Sequence, residues 1–184
     1  ENMWARPESA ITRCSDDFQP ENKEWFKKHI LQCTFNCLFI GEIMWCDYDM
    51  WWTDDNQALK NSLLRAVSGG PIYVSDTLAR SKKDVLMPLI LEDGKILRCD
   101  RPAIPTLDCM FNTTEGNGIY KVQNICGDSG IIAVYNLTDN KACGTVSPSD
   151  VFGLSGDRFI MYEHFTREVY SLSKESTVNI ELEN

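Results

Sequence analysis

Three short stretches carry most of the side chains fit for acid–base chemistry: "RCSDDF" at 13–18, "WCDYDMWWTDD" at 45–55 and "SGGPIYVSD" at 68–76. Each follows or contains an apolar run and ends in aspartates: Asp16 and Asp17, then Asp47 and Asp49, then Asp76. A carboxyl at a strand end, screened by aromatic neighbours or set beside a second carboxylate, has its pKa raised. It can then act as a general acid near neutral pH. Asp16 and Asp17 are adjacent, so along a strand or turn they point in different directions. One can face a site while the other caps the next helix or makes a structural hydrogen bond. The local pattern by itself favours a plainer role, in which "SDD" only caps a helix starting near Pro20.

The second stretch sets Trp45, Tyr48, Trp51 and Trp52 among four aspartates. Flat aromatic faces stack on sugar rings and carboxylates accept from hydroxyls, so this mixture suits carbohydrate. The bland alternative is a core-facing aromatic cluster with a solvated acidic rim. The acids lack the D-x-D-x-D-G order of a calcium loop. The third stretch lacks both glycine-rich phosphate-loop patterns, and its Gly69–Gly70 pair is expected to let a helix and a strand approach closely. Only two histidines occur, His29 and His164, which weakens any Ser-His or Cys-His triad and any His-rich metal site. None of the eight cysteines forms a C-x-x-C. No metal and no cofactor is expected.

The elements that must position these groups alternate. Residues 9–14 read as a strand. Residues 20–39 read as a helix with Pro20 in its first turn and Trp25, Phe26, Ile30, Cys33, Phe35 and Cys37 on one face. A strand follows near 39–45. A helix over 56–69 places Leu59, Leu63, Leu64 and Val67 on one side and ends at the glycine pair. A strand over 71–76 precedes a helix over 81–91 that Pro88 must bend or shorten. Short strands alternating with amphipathic helices predict a parallel sheet with its ligand site at the carboxyl ends of the strands. Asp16, Asp47, Asp49 and Asp76 would then converge on one face. Three units cannot close a barrel of eight, and an open sheet would leave two long edges. The stretch therefore reads as the last part of a larger β/α domain. After a proline-containing connector, "ILRCDRPAIPT", short apolar runs separated by turn clusters predict an antiparallel β-sandwich. The expected fold is α/β plus all-β, with residues 1–97 as C-terminal units of a (β/α)8 barrel and 98–184 as the sandwich.

The net charge of −9 argues against nucleic acid or an anionic membrane as partner, because both need basic patches. No apolar run approaches the roughly 20 residues of a membrane span. Most cysteines sit beside apolar residues, which predicts buried free thiols in a reducing compartment and hence a cytoplasmic location. Asn112-Thr-Thr and Asn136-Leu-Thr match the glycosylation sequon, a pattern short enough to arise by chance.

Four stretches in order, "RCSDDF" at 13–18, "DYDMW" at 47–51, "SGGPIYVSD" at 68–76 and "LEDGKILRCDRPAIPTLDCMF" at 91–111, resemble the C-terminal part of glycoside hydrolase family 36. The branch is that of raffinose synthases and seed-imbibition-type alkaline α-galactosidases, and the resemblance spans about residues 9–137. It implies a (β/α)8 barrel followed by a β-domain, acting on terminal α-galactosides with retention through two carboxyl groups. Asp16 falls on the family's general acid/base. Arg13, Asp17, Asp47, Asp49, Trp51 and Asp76 are the expected substrate-binding residues. The branch usually has "DWDMF" followed by a serine and a histidine-containing segment; here Tyr48, Trp51 and "TDD" depart from that, at the loop expected to choose acceptor or aglycone. The family nucleophile lies in a Lys-x-Asp type motif on an earlier strand, and only eight residues precede "SAITRCSDD". The expected partners are thus an α-galactoside and the rest of the barrel. The competing expectation is a carbohydrate-binding or interaction module without catalysis. These 184 residues alone are expected to lack glycosidase activity; turnover of an aryl α-galactoside by the isolated chain would overturn that.

Overall fold

The computed structural model describes residues 10–111 and 118–183. The chain divides between Ile104 and Pro105 into two compact units. In the first, the order is β1 (Ile11–Arg13), α1 (Lys23–Ile40), β2 (Trp45–Asp47), α2 (Ala58–Ser68) and α3 (Lys83–Leu86). β1 and β2 are parallel, with Ile11 opposite Trp45 and Arg13 opposite Asp47. The Cys14 N–H to Asp47 carbonyl bond, 3.1 Å, continues the ladder past β1.

The strand expected over 71–76 is reduced to one parallel bridge, Trp51 with Val74, and a 3.1 Å bond from the Ser75 N–H to the Trp51 carbonyl. Pro71 has no N–H for a ladder, and Asp49 turns the facing segment through a left-handed conformation, φ 66°.

Asn22 caps α1, its side chain accepting from the Trp25 N–H at 3.0 Å. Phe26, His29, Ile30, Cys33, Thr34 and Cys37 form the buried face, at the three- and four-residue spacing of a helix. The helix thus starts later than expected. Pro20 lies outside the first turn, and Glu21, at φ 57°, gives its N–H to the Asp55 carboxylate. It also runs further, to Ile40, so residues 39–43 are helix end and turn and β2 starts only at Trp45. On α2, Leu64 and Val67 are buried but Leu59 is 54% exposed, because five residues carry it about 140° around the helix from Leu64. Pro88 shortens the next helix to Lys83–Leu86, followed by a 3-10 turn over Met87–Leu89.

Phe18, Trp51, Ala58 and Leu89 make one core cluster, with Trp52, Ile72 and Val74 packed against it. The glycine pair does two jobs. Gly69 ends α2 in the left-handed conformation, φ 72°, which costs glycine nothing. A Cβ on Gly70 would lie 2.1 Å from the Cys46 carbonyl oxygen, so only hydrogen fits where the chain passes β2.

β3 (Ile104–Pro105) lies at the division; in the second unit, β4 (Tyr120–Cys126) and β5 (Ser129–Tyr135) pair antiparallel. β6 (Ala142–Val146) pairs antiparallel with β9 (Val178–Leu182), and β7 (Arg158–Tyr162) with β8 (Val169–Ser173). Ile119, Ala142, Val146 and Val178 form its core cluster. β6 is an element that hydropathy does not reveal, because Cys143, Gly144 and Thr145 interrupt its apolar residues. His164 stands in the exposed turn after β7. The Asn136 sequon is structural: its side-chain amide donates to the carbonyls of Asn140 (2.7 Å), Leu182 (3.2 Å) and Glu183 (3.1 Å). The Asn112 sequon lies outside the described residues. All eight cysteines are free thiols and six are buried. Among the described residues no helix is long and apolar enough to cross a membrane.

Gly70→Ala is expected to lower unfolding free energy by about 2–3 kcal/mol, the cost of forcing atoms into packed structure. Gly118→Ala, where an added Cβ meets nothing within 4 Å, serves as control. Urea denaturation of both variants measures the difference.

Candidate functional site

β1 delivers Arg13, and the chain runs on through Cys14 and Ser15 to Asp16. The Asp16 carboxylate is exposed and held from one side by Gln32 of α1. The Gln32 side-chain amide donates to Asp16 Oδ2 at 2.9 Å, and its carbonyl accepts the Asp16 N–H at 3.1 Å. This two-point clasp fixes the carboxyl beyond the strand end while leaving it open to solvent. Asp17 turns the other way. Its carboxylate pairs with Arg13, and its carbonyl accepts the Trp25 indole N–H at 2.8 Å. Neither aspartate caps α1, a role Asn22 takes five residues later.

Asp49 is the second anchor of Arg13, at 2.6 Å. Its other bonds come from the Phe18 N–H (2.6 Å) and the Met50 N–H (2.8 Å). It is 5% exposed. Expected at a substrate, Asp49 instead ties the loop after β1 to the loop after β2, because its oxygens are occupied by backbone N–H groups and a guanidinium. Asp47 is more open. It accepts the Asp49 N–H at 2.8 Å and the Tyr73 hydroxyl at 3.0 and 3.1 Å. Partial burial, then the hydrogen bond to Asp47 and its negative charge, push the Tyr73 phenol up to about 12. Tyr73 therefore stays protonated and donating at neutral pH.

Asp76 accepts the Thr53 N–H at 2.6 Å and the Thr53 hydroxyl at 2.7 Å. Partial desolvation raises its pKa, but the Thr53 and Ser81 hydrogen bonds outweigh it and hold the carboxyl below its ordinary range. Trp51, expected to offer a stacking face, is 0% exposed. The correction follows from packing: its ring joins Phe18, Ala58 and Leu89 in the core. Trp52 stays half-buried, edge-on to Phe18 at 6.3 Å and donating to Ser75 Oγ at 3.1 Å.

Behind this loop the Arg65 guanidinium of α2 is fully buried. It donates to the carbonyls of Tyr48 (2.7 Å), Asp49 (3.2 Å) and Met50 (3.2 Å) and to Asn61 Oδ1 (2.6 Å). His29 Nε2 lies 3.0 Å from the same Tyr48 carbonyl. It must donate there, so its 3.4 Å approach to Arg65 is donor against donor and is no hydrogen bond.

The structure therefore brings Arg13, Asp16, Asp17, Asp47 and Asp49 together at the ends of β1 and β2, with Asp76 held by Thr53 nearby in the next loop. Sequence reading missed Gln32, Tyr73 and Arg65. Gln32 and Arg65 are polar residues within helices, and only their position among buried neighbours would have singled them out.

The chain matches the family model described as raffinose synthase or seed imbibition protein Sip1 over residues 1–176. It is 32% identical to a probable galactinol–sucrose galactosyltransferase 6 of Arabidopsis thaliana, over 95% of this chain and 24% of that protein. It is 32% identical to a galactinol–sucrose galactosyltransferase of Oryza sativa subsp. japonica, over 95% of this chain and 26% of that protein. It is 31% identical to stachyose synthase of Pisum sativum, over 69% of this chain and 16% of that protein. The chain thus spans about a quarter of the length of the first two relatives, and it belongs to the raffinose synthase or seed imbibition protein family.

Because the folded-state pKa of Asp76 is depressed, the stability it contributes is fully present above its unfolded value, about 3.9. That stability is lost as pH falls through the lower folded value. Asp76→Asn should reduce stability at pH 6 and leave it nearly unchanged well below pH 3, which denaturation curves at the two pH values will test.

Proposed function

We propose that this member of the family is the C-terminal share of a retaining α-galactosyltransferase, with Asp16 as its general acid/base. The observation that carries the reading is an exposed carboxylate fixed by Gln32 just beyond β1, at the family's acid/base position. Arg13, Asp17 and Asp47 form the polar floor beside it. The first unit is read as late β/α units of a (β/α)8 barrel and the second as a β-sandwich. The parallel β1–β2 pair with the Trp51–Val74 bridge supports the first, and the three antiparallel pairings support the second.

In this reading Asp16 gives a proton to the glycosidic oxygen as the donor bond breaks. A second carboxylate, supplied by a preceding part of the enzyme, attacks the anomeric carbon from the opposite face. The two carboxyl groups of a retaining pair stand about 5–5.5 Å apart. Asp16, now a carboxylate, takes the proton from the incoming hydroxyl as the covalent intermediate is resolved. A sugar hydroxyl gives transfer; water gives hydrolysis. The relatives' names favour transfer, from an α-galactoside of the galactinol type to a sugar of the sucrose type. Asp47 and the half-buried Trp52 are the groups placed to meet that acceptor, and Asp49 and Trp51 hold the loop from behind.

In the enzyme of the relatives' length carrying this chain, Asp16→Asn should cost about 10²–10⁴-fold in kcat/KM, the usual contribution of a general acid/base. Calorimetric binding of the galactoside should change little. Unchanged turnover would sink the catalytic role and point to a binding module instead.

A further inference from the structure

A second constellation lies beneath the acidic loops and has no part in the proposed chemistry. Cys14 follows β1, Cys37 lies on α1 and Cys46 is the middle residue of β2. All three are buried, and their sulfur atoms lie within 4.8 Å of one another. We propose that Cys14, Cys37 and Cys46 form a three-thiolate site for a thiophilic divalent d10 metal ion.

The geometry is close to what such an ion needs. A zinc–sulfur bond of about 2.3 Å puts the sulfurs of a trigonal site about 4.0 Å apart. The three side chains therefore need to close by less than about 1 Å. Each ligand comes from a different regular element or its immediate end, which is the rigid support that metal sites require. The ligand set is sulfur alone, which selects soft or borderline ions over Mg²⁺ and Ca²⁺. Cys33, one turn before Cys37, is 0% exposed, and the Cys14 sulfur lies 3.7 Å from its carbonyl and 3.4 Å from that of Asp47, so backbone rather than side-chain oxygen faces that sulfur.

Binding converts three thiols into thiolates and releases three protons to solvent, leaving the ion and its ligands with one net negative charge. Tyr48 touches the Cys37 sulfur through its hydroxyl, at 3.2 Å, which sets a polar group against the cluster. Three thiols that were only core filler would serve equally well as alanine or valine and would bind no ion.

The test uses the reduced chain and Cd²⁺. Refolding with Cd²⁺ should give one equivalent bound, an ultraviolet thiolate-to-cadmium charge-transfer band and a raised Tm. Cys37→Ala and Cys46→Ala should each lose the band, and Cys126→Ser and Cys143→Ser should keep it. Should an alanine variant not fold by circular dichroism, X-ray absorption on the wild-type cadmium form decides, with three sulfur scatterers expected. Absence of the band, its survival in Cys37→Ala/Cys46→Ala, or oxygen and nitrogen scatterers in place of sulfur would each overturn the proposal.

Discussion

Burying the Arg65 guanidinium completely costs several kcal/mol unless its donors find acceptors, and the acceptors it finds shape the loop after β2. Three successive carbonyls, those of Tyr48, Asp49 and Met50, turn toward it. Such convergence cannot be reached with ordinary extended backbone, so Asp49 takes the left-handed conformation. For a non-glycine residue that conformation costs on the order of 1–2 kcal/mol, which bonds to a charged donor are strong enough to offset. With its carbonyl turned toward α2, Asp49 still has its side chain free to reach the loop after β1. There it takes the Phe18 N–H and Arg13.

A division of labour among the acids follows. Asp49 and Asp76 are consumed by backbone and hydroxyl donors and serve as internal ties. Asp17 is spent on Arg13. Asp47 keeps an open side but orients Tyr73. Asp16 alone among the five stands exposed with its position set by a neutral amide, which leaves a carboxylate both fixed and accessible. The aromatic residues divide in the same way: Tyr48 and Trp51 fill the core, and Trp52 stays half-buried beside Ser75.

Much of the secondary structure was legible in local chemistry. Gly69 at the end of α2, the break at Pro88 and the β4–β5, β7–β8 and β9 runs all follow from backbone freedom, a missing N–H or period-two alternation. Other features escaped because nonlocal contacts decide them. The start of α1 moved because Asp55, more than thirty residues away, captures the Glu21 N–H. β6 was invisible because its pairing with β9, not its own hydropathy, makes it a strand. The exposure of Leu59 was lost in a count of apolar residues that ignored the angle between them.

The sequence by itself determined the residue types at the ends of successive elements, the glycine pair that admits a close crossing, and the motif order that marks the family. These are properties of short stretches, and local sterics and spacing express them. Only the tertiary structure decided which carboxylate remains free, which tryptophan is buried, and that three cysteines far apart in the chain meet in one core. Those outcomes depend on what packs against each side chain, and burial is a property of the assembled fold, which no single stretch contains.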